Sequence, residues 1–253
     1  VGDGVFETMK LDRGTPFART RHLRRLATSA EVMGIALPPA DEIDTAIDAV
    51  CAHAPGDDGY LRVTVTAGPG PLGSNRGDVT PTLIVAIRPG AVRTEPTSVL
   101  VVPWTRNERG ALAGVKSTSY GENVRALAAA EAAGTSEALF ANTVGDLCEG
   151  TGSNVFVGID GRLVTPTLAS GCLAGVTREL LLEARMGMEA DLPLADLRRA
   201  SEVFLASTGR EVQPVATIVW HDGERTDLPN APGPLTAEAR RVWLEAIATR
   251  LDP

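Results

Sequence analysis

Histidine, cysteine and lysine are scarce in this chain, and each scarcity narrows the chemistry. The three histidines, His22, His53 and His221, are scattered without HExxH-like spacing, so no metal centre is expected. Cys51, Cys148 and Cys172 are far apart and odd in number. That speaks against a disulfide framework or a thiolate cluster and fits a reducing cytoplasm. No apolar run reaches about 18 residues, so no membrane span is expected. No basic stripe exists: 24 basic residues face 32 acidic ones, for a net charge of −8, and nucleic acid is not an expected partner. Neither GxxxxGK[ST] nor GxSxG occurs, so a Walker-type phosphate loop and a hydrolase elbow both lack their signatures. The 26 glycines and 17 prolines follow no period, which excludes collagen and argues against a disordered tract.

What is present is a chain of 253 residues, 43% hydrophobic, long enough for one large or two modest domains. It begins at Val1 rather than Met and reads as a strand from the start. The expectation is a chain that begins inside a domain, with a strand segment missing before it. Helical periodicity covers 19–34, closed by Gly34, and a second helix covers 41–53. Strands are expected at 60–66, 82–87 and 99–102, with a Gly-, Pro- and Ser-rich loop at 67–81. Residues 104–114 read as a connection. Beyond it, helices are expected at 122–133 and 176–184, and a last one to about 251 that Thr236 can cap. Strands are expected at 137–141, 154–158, 162–165, 202–206 and 212–220, with an Asp160-Gly161 hairpin turn. The fold class is therefore α+β in two domains, 1–103 and 115–253; local hairpins exclude the regular βαβ alternation.

Lys10 and Lys116 are the only lysines, against 22 arginines. A lysine that arginine cannot replace is one whose amine must lose its proton. Lys116 lies on an Ala-Gly-Val turn before Ser-Thr-Ser, where it could form a Schiff base, or it is a surface residue. Glu149 lies on a Gly-rich turn between two strands, either solvated or facing a pyridinium nitrogen. The stretch 171–178 enters a helix whose amides, with the Thr177 hydroxyl, can bind phosphate; the alternative is an ordinary loop-to-helix junction. Ser207-Thr208-Gly209 is a weaker phosphate cradle. Cys148 could suggest a thiol nucleophile, although no partner His is placed near it.

In combination these motifs resemble the class IV aminotransferases, the fold-type IV pyridoxal phosphate enzymes. The resemblance covers nearly the whole chain and rests on six landmarks in order. They are GDGVFET at 2–8; HLRRL at 22–26, followed by Ser29-Ala30; Lys116 before a helix; EGTGSNVF at 149–156; LAGVTR at 173–178; and STGREVQPV at 207–215. The resemblance implies a D-amino acid aminotransferase-like fold of two α+β domains with the cofactor between them, working as a homodimer. It implies that Lys116 carries pyridoxal 5′-phosphate and shuttles the proton, and that Glu149 pairs with the ring nitrogen. Arg25 would bind the phosphate, with the backbone of Val176 and Thr177, the Thr177 hydroxyl and Thr208 completing the cup. Phe6 falls where D-amino acid enzymes tend to have Tyr, near the substrate. Arg76, in the first long loop, could meet an anionic substrate; the Arg-x-His pair of the D-amino acid enzymes is absent there. KSTSYGENV at 116–124 and PLGSNRG at 71–77 are similar to actinobacterial 4-amino-4-deoxychorismate lyases. The resemblance therefore implies release of pyruvate and 4-aminobenzoate in folate synthesis, with amino transfer to or from branched-chain or D-amino acids as the alternative. The substrate is a small amino acid-like molecule in either case.

Overall fold

The computed structural model describes residues 2–253 apart from Pro55 and Asp57; Val1, with which the expected first strand opens, lies outside the described residues. The chain forms two compact units. The first comprises Val1–Ala91, Val115–Tyr120 and Thr249–Pro253, and the second Val92–Gly114 and Gly121–Ala248.

In the first unit, β1 (Gly4–Asp12), β2 (Thr15–Pro16), α1 (Arg19–Met33), α2 (Ala40–Cys51), β3 (Gly59–Thr66) and β4 (Thr82–Pro89) follow in order. The strands form an antiparallel sheet ordered β2-β1-β3-β4. Val5, Met9, Leu11, Leu61, Val63 and Val65 of the sheet share one core with Leu26 and Ala30 of α1 and Ile43 and Ile47 of α2. Burying such side chains contributes about 1.5–3 kcal/mol each. Gly34 closes α1 in the left-handed conformation at φ 61°, as its position in the sequence requires.

The second unit contains β5 (Thr97–Arg106), α3 (Gly121–Ala132), β6 (Glu137–Asn142), β7 (Leu147–Gly150), β8 (Asn154–Ile159), β9 (Arg162–Thr165), α4 (Val176–Glu183), β10 (Met188–Glu189), β11 (Glu202–Ser207), β12 (Glu211–Trp220), β13 (Arg225–Asp227) and, ending in the first unit, α5 (Pro234–Thr249). Its sheet runs β10-β9-β8-β11-β12-β5-β6-β7, with β13 beside β12. β5 is parallel to both β12 and β6. Val99 and Val101 enter one core and Leu100 and Val102 another, the latter shared with Ala126 and Ala130 of α3. A strand buried on both faces reads as a continuous apolar run, as 99–102 does.

The two units cut the sequence differently from the expected domains. Residues 92–103 belong with the second unit because β5 pairs there on both edges. β5 also continues through 104–106, expected as connection, after a register shift between Val101 and Thr105. Residues 115–120 belong with the first unit: the Phe6 amide donates to the Lys116 carbonyl (3.0 Å), and the Thr118 amide donates to the Gly4 carbonyl (2.8 Å). Thr236 does not cap α5. It is the helix's third residue, its buried hydroxyl has no hydrogen-bond partner, and Glu202 accepts from the Leu235 and Thr236 amides instead. No helix among the described residues is long and apolar enough to cross a membrane.

Candidate active site

In the first unit, the backbone of 115–120 is laid against β1, which places Lys116 beside Phe6. The Lys116 Nζ stands 4.3 Å from the centroid of the Phe6 ring, and the Arg62 guanidinium carbon stands 3.9 Å from it. Tyr120 meets the same ring edge-on at 5.3 Å. The Lys116 amide donates to the Ser29 hydroxyl of α1 at 3.3 Å. Arg25 of α1 forms a fork on Glu7 of β1, with Nε to Oε1 at 2.7 Å and Nη2 to Oε2 at 2.8 Å. His22 Nδ1 lies 2.7 Å from Glu7 Oε2. Burial pushes the Glu7 carboxyl up. The charge and hydrogen bonds of Arg25, together with His22, outweigh burial and hold it at about 2. Burial holds His22 below the usual imidazole range; Glu7 opposes this, and the charges of Arg25 and Lys116 add to it. Arg76 lies elsewhere in the unit. Its guanidinium donates to both Asp3 oxygens and to the Met33 and Gly34 carbonyls, so it staples the 67–81 loop to the chain itself.

In the second unit, Glu149 sits near the end of β7, a strand the sequence reading did not separate from its Gly-rich surroundings. Its Oε2 accepts from the Leu173 amide at 2.9 Å, and its Oε1 is 3.7 Å from Arg106 Nη2. Arg106 lies over the Phe140 ring at 4.5 Å and donates to Asn123 at 3.0 Å. Its Nε and Nη2 are buried without a hydrogen-bond partner. The turn after Glu149 is held from below by Glu137, which accepts from the Thr151 amide and hydroxyl and from the Ser153 hydroxyl. A Cβ on Gly150 would lie 2.6 Å from the Ser153 hydroxyl oxygen, so a larger residue there would push that hydroxyl off its bond to Glu137. Val176 and the buried Thr177 open α4 behind Gly175, and no side chain caps that helix. Asn154 ties β8 to this entry by donating to the Leu173 carbonyl at 2.8 Å. Thr208 lies in the tight β11–β12 connection, where Ser207 faces Glu211. Cys148, beside Glu149, is buried, and burial with the Glu149 charge pushes its thiol far up, away from nucleophile chemistry.

The sequence landmarks thus fall into two groups, Phe6, Arg25 and Lys116 in one unit and Glu149, Val176, Thr177 and Thr208 in the other. The side chains that hold them (Glu7, Glu137 and Arg106) were not singled out from sequence, nor was Arg62. The one available signal was a charge among apolar positions of a strand: Glu7 shares its alternation with Val5, Met9 and Leu11, and Glu137 opens the apolar run Ala138–Ala141.

The family model for amino-transferase class IV matches residues 4–218. A protein named "Putative branched-chain-amino-acid aminotransferase" from Methanocaldococcus jannaschii is 32% identical over 86% of this chain and 79% of its own length. A D-alanine aminotransferase from Bacillus licheniformis is 31% identical over 97% of this chain and 88% of its own. The solved branched-chain aminotransferase of Thermoproteus uzoniensis superposes with a TM-score of 0.86 at 27% identity, covering 97% of this chain and 86% of that one. The chain therefore belongs to the class IV aminotransferases, whose cofactor is pyridoxal phosphate.

Proposed function

We propose that this protein is an aminotransferase of branched-chain amino acids, and that Lys116, Arg25, Glu149, Val176, Thr177 and Thr208 hold its cofactor. The donor set matches the cofactor's chemistry. Lys116 offers an amine to its aldehyde, Glu149 a carboxylate to its ring nitrogen, and the others a guanidinium, amides and hydroxyls to its phosphate. The observation that carries this reading is the uncapped entry to α4. A Cβ on Gly175 would lie 1.9 Å from Asn154 Oδ1, so only glycine lets Asn154 pack this closely on the turn, and the helix that follows opens with a buried Thr177 and no side-chain cap. Uncapped helix amides of this kind suit an anion.

When bound, pyridoxal phosphate supplies an electron sink for charge developing at the α-carbon of an amino acid. The chain's own residues do the rest. Lys116 Nζ takes the proton from that carbon and delivers it again during transfer. Phe6, buried and in contact with Nζ, keeps water from one side of the amine. Glu149 is oriented by the Leu173 amide before it meets a ring nitrogen.

Amino transfer is favoured by the names of the relatives reported above. The branched-chain class is favoured over D-amino acids because the 67–81 loop has no Arg-x-His pair and its Arg76 is engaged with Asp3. The second reading, a 4-amino-4-deoxychorismate lyase, is supported by the similarity of 71–77 and 116–124 to lyases of that kind. The test is to supply the cofactor-loaded protein with L-leucine and 2-oxoglutarate, then with D-alanine, then with aminodeoxychorismate. Glutamate formed from L-leucine is the expected result. Pyruvate released from aminodeoxychorismate, with no amino transfer from either amino acid, would establish the lyase instead.

A further inference from the structure

Glu7 is fully buried in a strand whose core-facing neighbours, Val5, Met9 and Leu11, are apolar. An ionised carboxylate in such a place persists only where its oxygens are filled. Here two side chains of α1, His22 and Arg25, fill them. They are three residues apart and so share one helix face. Because His22 Nδ1 faces an ionised acceptor at 2.7 Å, that nitrogen must carry a proton, and His22 donates to Glu7 Oε2. The carboxylate is thereby fixed in rotation as well as position. A two-bond fork then holds the plane of the Arg25 guanidinium and the direction of the edge turned away from Glu7.

We propose that Glu7, oriented by His22, is a positioning residue that aims Arg25 at the cofactor's phosphate and so sets the preference for the phosphorylated over the unphosphorylated cofactor. This rests on the reading of Arg25 as a phosphate ligand. A lone arginine retains many rotamers, and ordering it on binding costs side-chain entropy; the fork removes that freedom beforehand. The ratio of the dissociation constants of pyridoxal and pyridoxal phosphate isolates this contribution, because both share the aldehyde and the ring. The ratio is also indifferent to any unfolded fraction, since both ligands meet the same folded pool.

The experiment titrates the full chain, freed of cofactor, with pyridoxal phosphate and with pyridoxal, following tryptophan fluorescence. Arg25→Gln is expected to abolish the preference shown by the unaltered protein. Glu7→Gln is expected to lower the ratio about tenfold, in the range of a charge-assisted hydrogen bond, with pyridoxal affinity within about twofold. His22→Asn is expected to lower it by a smaller factor in the same direction. If Arg25→Gln leaves the ratio unchanged, the phosphate reading fails and the proposal with it. If Arg25→Gln collapses the ratio but Glu7→Gln preserves it, the reading stands and the positioning role is overturned. Should Glu7→Gln fail to fold, as judged by circular dichroism, His22→Asn decides: a ratio unchanged by that substitution overturns the proposal.

Discussion

At the scale of the residue, Glu7 and His22 make the first unit acid-sensitive in a defined order. Both have their folded pKa depressed, Glu7 to about 2 from an ordinary 4.5 and His22 below an ordinary 6.5. A depressed folded value means that the unfolded chain takes the proton first. The stabilisation is therefore present above the unfolded pKa and is lost as pH falls through the folded one. His22 begins to lose its share below about 6.5, and Glu7 loses about 3 kcal/mol between pH 4.5 and 2. Urea unfolding midpoints are expected to fall between pH 7 and 5 in the unaltered protein, and to fall less in His22→Asn. Equal pH slopes in the two proteins would contradict the assignment. Glu7 itself could not be read from sequence, because one carboxylate inside an apolar strand leaves the period-2 pattern almost untouched. Only its partners on α1 give it a role.

At the scale of the element, legibility followed the local chemistry. The β8–β9 hairpin was readable because Asp160 and Gly161 both adopt positive φ, 49° and 74°, the pair a two-residue I′ turn demands. Helix α1 was readable from its apolar face and Gly34. The tail of β5 was not, because Trp104 and its neighbours are solvent-facing beyond the irregular pairing after Val101. The start of α5 shows how a local signal can mislead. Thr236 has the right chemistry for a cap, but the helix begins earlier and a residue 34 positions away fills its amides. Two substitutions separate the cases. Thr236→Val removes a hydroxyl with no partner and is expected to be neutral within about 0.5 kcal/mol. Glu202→Ala strips both acceptors from the helix N-terminus and is expected to cost about 1–2 kcal/mol. Thermal unfolding measures both, and the opposite order would restore Thr236 as the cap.

At the scale of the whole molecule, the family was readable because its landmarks occur in order along nearly the entire chain. Composition singled out one of them independently: with two lysines among so many arginines, Lys116 is conspicuous. The reaction was less readable. Under the proposed function, elimination and amino transfer would draw on the same lysine, carboxylate and phosphate ligands. The 116–124 and 71–77 stretches point one way and the named relatives the other. Much of the supporting apparatus around the candidate residues, the forks from Glu7 and Glu137 and the Arg106 beside Glu149, depends on contacts between positions far apart in sequence, and these carry no local signature.

The central claim is that Lys116 carries the cofactor. Borohydride reduction of the cofactor-loaded protein, followed by peptide mass mapping, tests it directly, because the chain offers two lysines to choose between. The expected result is a pyridoxyl phosphate adduct on the peptide containing Lys116, with Lys10 unmodified and the visible absorbance band missing in Lys116→Ala. An adduct on Lys10, or an unaltered band in Lys116→Ala, would contradict it.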